Sequence, residues 1–176
     1  MTDVRIERLR QLVQAVPDFP KPGILFRDIT PVLGDAAAFA DVIALLAEPF
    51  VGQGIDAVLG IESRGFVFGA PLALRLGAGF VPVRKPGKLP RATQRVDYAL
   101  EYGSDALEMH RDALDGKRRV LLVDDVIATG GTAKATLDLA RGAGAEVVAA
   151  AFFVELEFLK GAEQLRGLRV ESLLKY

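Results

Sequence analysis

Apolar positions change period several times along this chain, and the changes mark out an alternation of helices and strands. Ile6, Leu9, Leu12, Val13 and Val16 recur at helical spacing before Pro17-Asp18-Phe19-Pro20-Lys21-Pro22-Gly23 breaks the pattern. Residues 36–50 are alanine-rich and amphipathic, which predicts a second helix. Strand-like runs follow at 56–61, 80–83, 120–123 and 146–154, and the apolar stretch from Val147 to Val154 suits a strand covered on both faces. Helical spacing returns over 66–76, where Pro71 blurs the boundaries, and over 133–140. This β-then-α order predicts an α/β, doubly wound fold with a mostly parallel sheet.

Composition narrows the class without naming a chemistry. A chain of 176 residues with 51% hydrophobic content fits one domain with a sizeable core and argues against disorder. The formal net charge of -1 gives no global field for nucleic acid or a membrane surface. There is no cysteine, so disulfides and thiolate chemistry fall away. Asp3, Arg5, Glu7, Arg8 and Arg10 leave no apolar signal core, and no apolar run reaches membrane-spanning length. Cytoplasmic residence is the resulting expectation.

Chemistry concentrates in Val120-Leu121-Leu122-Val123-Asp124-Asp125-Val126-Ile127-Ala128-Thr129-Gly130-Gly131-Thr132. A buried strand delivers paired carboxylates at its carboxyl end, where open α/β sheets bind ligands. Thr129, Gly130, Gly131 and Thr132 add hydroxyls and closely spaced backbone amides ahead of a helix, an arrangement that receives phosphate. Acids beside an anion hole suit a ligand bearing both vicinal hydroxyls and a phosphate. Asp124 and Asp125 would accept from ribose hydroxyls while the loop holds a 5′-phosphate. A strand followed by two acids is also what a solvated turn offers; the adjoining T-G-G-T favours the sugar phosphate.

Charge becomes informative when read locally. Residues 63–96 contain no acid, yet carry Arg64, Arg75, Arg84, Lys85, Lys88, Arg91 and Arg95. The densest part, residues 84–91, contains proline and glycine and reads as a mobile basic loop, either solvated or gripping a pyrophosphate. Gly60-Ile61-Glu62-Ser63-Arg64-Gly65-Phe66 forms a second strand-to-helix turn that can aim amides and a guanidinium at one anion. It is no hydrolase elbow, because Ile61 stands where glycine would be needed. His110, the single histidine, reads as a helical surface or core-edge residue beside Glu108, Met109, Arg111 and Asp112. No His/Cys cluster suggests structural zinc, and the Thr129 loop has no Walker lysine. Gly142-Ala143-Gly144 links a helix to a strand and is no dinucleotide fingerprint.

The segment from Val120 to Thr132 resembles the phosphoribosyl diphosphate signature of the type I phosphoribosyltransferases, in which these acids bind ribose and the following loop binds the 5′-phosphate. The turn at residues 60–66 is similar to that family's pyrophosphate loop, which makes Arg64 the first choice for a diphosphate ligand. Asp18-Phe19-Pro20-Lys21-Pro22-Gly23-Ile24-Leu25-Phe26-Arg27-Asp28-Ile29-Thr30-Pro31-Val32-Leu33 resembles the base-binding region of the adenine-specific branch, and Leu100-Glu101-Tyr102-Gly103 and Glu155-Leu156 continue the likeness in order. Ala128 agrees, since 6-oxopurine enzymes typically carry aspartate and orotate enzymes threonine at the corresponding position.

The resemblance implies one domain over 1–176 with a small N-terminal base-binding hood over about 1–35. It implies purine salvage: adenine and 5-phosphoribosyl 1-diphosphate yield AMP and pyrophosphate, with Mg²⁺ as cofactor, in a homodimer without nucleic-acid or membrane partners. Leu25 and Phe26 would form an apolar slot for the purine, with backbone groups around Arg27 reading its exocyclic amine, although both side chains also suit a core. Arg64, Arg84, Lys85 and Lys88 would help the leaving group carry its charge. Glu101 would handle the purine proton and Tyr102 would close a lid. The direct protein ligands of Mg²⁺ stay open, as do a phosphoribosyltransferase for another purine and a non-catalytic sensor of the donor.

Overall fold

The computed structural model describes residues 3–99 and 104–176. It divides into two compact units, Met1–Leu45 and Leu46–Tyr176.

In the first unit, Asp3 caps α1 (Val4–Leu12) by accepting the Arg5 N–H at 2.9 Å. The helix is shorter than the apolar spacing predicted. Val13 turns to an extended conformation, and Val16 belongs instead to β1 (Gln14–Pro17), antiparallel to β2 (Leu25–Asp28) with Val16 opposite Phe26. β-Branched residues beside a proline suit a strand better than a last helical turn. A short α2 (Thr30–Gly34) buries Val32, and Asp35 then accepts the Ala38 N–H at 2.8 Å to open α3 (Ala36–Ala47).

The second unit is organised by a sheet of β3 (Ala57–Ile61), β4 (Gly79–Val83), β7 (Arg119–Ile127), β8 (Glu146–Glu155) and β9 (Arg169–Lys175). Its order is β4-β3-β7-β8-β9, and every pairing is parallel. The central strands are buried through Val120, Leu121, Leu122 and Val123 and through Ala149 to Val154, as continuous apolar runs require. Helix α4 (Gly65–Leu76) joins β3 to β4 and runs through Pro71, while α5 (Gly131–Gly142) joins β7 to β8. Among the described residues, no helix is long and apolar enough to cross a membrane.

An antiparallel hairpin of β5 (Thr93–Ala99) and β6 (Ser104–His110) packs on α5 and was not anticipated. It corrects the helical reading of His110, which ends β6 opposite Thr93. Ala106, Leu107 and Met109 are buried, so β6 belongs to the core through a pattern too short and mixed to declare a strand. Leu100, Glu101, Tyr102 and Gly103 lie outside the described residues.

Candidate functional site

The site grows from a mismatch in strand pairing. β3 accompanies β7 only to Val123, opposite Gly60, whereas β8 stays paired as far as Ile127, opposite Glu155. The crossover after β3 leads to one side of the sheet and the crossover after β7 to the other, so the two strands part at a topological switch point. Asp124 and Asp125 stand there. They lie inside β7, not beyond it as the apolar run 120–123 suggested, because β8 and β9 continue the ladder past them.

The two acids have different surroundings. Asp125 is only 4% exposed and pairs through Oδ2 with the Nε of Arg64, which caps the N-terminus of α4 and is itself largely open to solvent. Asp124 Oδ1 accepts the Asp125 N–H at 2.9 Å and rests against the first turn of α4. Gly65 permits this approach, since a Cβ there would stand 2.8 Å from Asp124 Oδ1 and 3.0 Å from the Val123 carbonyl oxygen. Burial pushes the Asp124 carboxyl well above the ordinary carboxylate range, and the neighbouring Asp125 charge pushes it the same way. A bound cation or a sugar acquiring positive charge would reverse that bias.

Beyond the acids, the chain turns into α5 through Gly130, at φ 85°, and encloses an open depression of about 90 Å³. Asp124, Ala128, Thr129, Gly130, Gly131 and Thr132 are among its lining residues. Free amides at the start of a 12-residue helix face a space suited to an anion. A 3-10 turn, Gly161–Leu165, buttresses the loop from behind. A Cβ on Gly161 would stand 2.1 Å from the Ala128 carbonyl oxygen, and one on Gly130 would stand 2.3 Å from the Gly161 carbonyl oxygen. The two backbones touch where only glycine fits. Leu156 also meets this end of β7, its N–H donating to Ile127 O at 3.0 Å.

The basic loop is folded back on carboxylates. Glu62, 9% exposed, accepts from Arg84 Nε at 3.2 Å, from Lys85 N at 3.0 Å and from Lys88 Nζ. Lys85 Nζ donates to Asp105 at 2.7 Å, the Gly87 N–H donates to Glu108 at 3.2 Å, and Arg84 and Glu108 form a backbone bridge. The mobile loop expected from proline and glycine is thus tethered at several points. Opposition between desolvation and these donors ends with Glu62 held below its ordinary range, while hydrogen bonding to Asp105 raises Lys85.

The phosphoribosyl transferase domain family matches residues 33–166. The chain is 60% identical over 173 residues to an adenine phosphoribosyltransferase of Acidobacterium capsulatum, covering 98% of this chain and 96% of that protein. The chain belongs to the adenine phosphoribosyltransferase family. The crystal structure of adenine phosphoribosyltransferase from Rhodothermus marinus matches with a TM-score of 0.92 and 53% identity over 98% of each chain. The Saccharomyces cerevisiae enzyme of this family, crystallised with an imino-altritol bisphosphate and adenine, matches with a TM-score of 0.90 and 42% identity, covering 96% of this chain and 98% of that one.

Within this family member, the second unit brings Arg64, Asp124, Asp125, Ala128, Thr129, Gly130, Gly131, Thr132 and Leu156 to one end of the sheet, with Arg84, Lys85 and Lys88 gathered on Glu62 and Asp105. Leu25, Phe26 and Arg27 belong to β2 of the first unit. There Leu25 is 48% exposed and the Phe26 ring meets Phe19 edge-on at 5.1 Å, leaving an apolar surface. Glu101 and Tyr102 fall outside the described residues. Sequence reasoning missed Gly161, Glu62 and Asp105. A glycine inside an otherwise ordinary loop carries no local signal, and the two acids act only through cations distant in sequence.

Proposed function

We propose that the acids of β7 and the loop at Thr129–Thr132 hold the ribose 5-phosphate moiety of the donor, while Arg64, Arg84, Lys85 and Lys88 hold its diphosphate. The reaction is that of the family: adenine and 5-phosphoribosyl 1-diphosphate give AMP and pyrophosphate, a purine-salvage step. The observation carrying the reading is the switch point, where paired acids and a helix-opening amide loop meet in one depression.

In this reading, Asp124 and Asp125 accept from the ribose hydroxyls and favour positive charge as the bond from C1 to the diphosphate breaks. Thr129, Gly130, Gly131 and Thr132 fix the 5′-phosphate, so the sugar is anchored at its far end while C1 moves toward adenine N9. Arg64 and the loop cations disperse negative charge on the departing pyrophosphate. Leu25 and Phe26 supply the flat apolar contact for adenine, with backbone groups near Arg27 selecting its amine. Glu101 handles the purine proton, Tyr102 closes the lid, and residues 1–35 serve as the base-binding hood.

The donor set also suits Mg²⁺. Asp124, desolvated and destabilised by its neighbour's charge, favours a nearby cation, and no group of three or more His, Cys, Asp and Glu placed to hold a metal ion occurs among the described residues. Asp124 and Asp125 would be the residues nearest such an ion, which would take further ligands from the diphosphate and water. When bound, it supplies neutralisation of the diphosphate charge.

The proposal includes cytoplasmic residence and a homodimer. On α4, Val67 and Leu74 stay 38% and 83% exposed at helical spacing, an apolar stripe that a second copy would cover.

A competition assay tests the function. With donor and Mg²⁺ present, adenine is expected to be consumed at least about 100-fold more efficiently than hypoxanthine or guanine, because a 6-carbonyl leaves buried hydrogen-bonding groups mismatched. Comparable efficiencies for all three purines, measured by product chromatography, contradict the adenine assignment. Donor binding with no turnover of any base supports a sensor instead.

A further inference from the structure

Two carboxylates hold the cations of the basic loop. Arg84, Lys85 and Lys88 are the loop cations assigned, together with Arg64, to the diphosphate, and each of the three already has a carboxylate partner: Glu62 for Arg84 and Lys88, Asp105 for Lys85. Glu62 is nearly buried, two residues from Arg64, and is held in place by its own N–H donating to Val83 O at 2.9 Å. Asp105 is also fixed from a second direction, accepting the Ala106 N–H at 2.8 Å and the Tyr98 hydroxyl at 3.3 Å. These acids sit on β3's exit turn and on β6, parts of the framework, whereas the cations sit on a connecting loop.

We propose that Glu62 and Asp105 are positioning residues that act as an internal competitor for the leaving group. Resting on the diphosphate assignment above, the inference is that the loop cations exchange their carboxylate partners for diphosphate oxygens and return to them when pyrophosphate leaves. The exchange swaps one anionic partner for another, so no cation is left bare at either stage. Glu62 contributes most, because its desolvated carboxylate holds Arg84, Lys88 and the Lys85 backbone together. Two consequences follow: the empty loop stays ordered for the next donor, and pyrophosphate is bound less tightly than its charge and the cation count would allow.

The sign of this effect separates it from a purely structural role. If Glu62 only props the loop, removing its charge loosens the cations and weakens pyrophosphate. If it competes, Glu62→Gln keeps the shape and the oxygen acceptor yet removes the rival charge, and pyrophosphate binds more tightly. Asp105→Asn makes an independent second test on the hairpin.

Pyrophosphate affinity should be measured calorimetrically with Mg²⁺ present, for the wild type, Glu62→Gln, Asp105→Asn and Arg64→Ala, alongside ribose 5-phosphate as a control ligand. Glu62→Gln is expected to tighten pyrophosphate by roughly threefold to tenfold, and Asp105→Asn by less, as befits partly exposed ion pairs. Ribose 5-phosphate affinity should stay the same in both. Donor KM should fall without a rise in kcat, the pattern of tighter binding with slower product release, and Glu62→Asp should restore wild-type affinity. Weaker or unchanged pyrophosphate binding in both neutralised variants overturns the inference while Arg64→Ala still weakens it. If Arg64→Ala has no effect on pyrophosphate, the diphosphate assignment itself is wrong and the inference falls with it.

Discussion

Asp124→Asn is expected to produce a protein that is more stable at alkaline pH and nearly inactive. The Asp124 carboxyl is raised well above its ordinary range by burial and by Asp125, so in the ligand-free fold its ionised form is disfavoured. Proton linkage sets the sign of the effect. Below the unfolded-state value, near 4 for an aspartate, the carboxyl is protonated in both states and costs nothing. As pH rises toward the elevated folded value, the unfolded chain releases the proton while the fold retains it, so wild-type stability falls. Asparagine removes that dependence. The melting temperature of Asp124→Asn should therefore match wild type near pH 4 and exceed it at pH 8, at roughly 2–4 °C for each kcal/mol recovered. Activity should move the other way. Loss of a charged acceptor for ribose, and of negative charge beside a developing cation, should lower kcat/KM by about two orders of magnitude. Thermal melts at both pH values and steady-state kinetics check the two halves separately. A variant less stable than wild type at pH 8 contradicts the electrostatic reading of Asp124.

The second large effect is expected at a residue that touches no ligand. Gly161→Ala would put a Cβ 2.1 Å from the Ala128 carbonyl oxygen, and no flexible side-chain end is there to give way. The obstacle is backbone on both sides, since Gly130 N is also only 2.9 Å away. The phosphate loop must move outward, and its amides lose their common focus. Overpacking of this kind costs about 1–3 kcal/mol in stability, and ribose 5-phosphate affinity should fall by about 10-fold or more, because an ångström-scale displacement of positioned groups costs heavily. Calorimetry with ribose 5-phosphate and a thermal melt give both numbers. Full affinity in the alanine variant means the Gly161 turn does not support the loop.

The fold was legible where periodicity was long and pure. β7 and β8 announced themselves through unbroken apolar runs, and α5 through helical spacing after Gly131. The β5–β6 hairpin was hidden, because Arg95 and Asp97 alternate with half-buried neighbours in a short polar strand whose pairing depends on a tertiary partner, α5. β9 was missed for a similar reason, with Arg169, Glu171 and Lys175 interrupting its apolar positions. At the site, Asp124, Asp125 and the Thr129–Thr132 loop could be read because one contiguous segment carries them. The carboxylates that restrain the basic loop could not, since the partners of Lys85 and Lys88 lie 20 and 26 residues away along the chain. Local composition declared a mobile segment; long-range ion pairs tied it down.

One end of the sheet is proposed to hold the two ends of the donor on two different loops. Backbone amide resonances, followed while ribose 5-phosphate and then Mg²⁺-pyrophosphate are titrated separately, test it most directly. Ribose 5-phosphate should shift the amides of Ala128, Thr129, Gly130, Gly131 and Thr132 most strongly, whereas pyrophosphate should shift those of Ser63, Arg64, Gly65, Arg84, Lys85, Gly87 and Lys88. Both ligands perturbing one common set of amides, or neither perturbing the Thr129–Thr132 loop, would contradict the assignment.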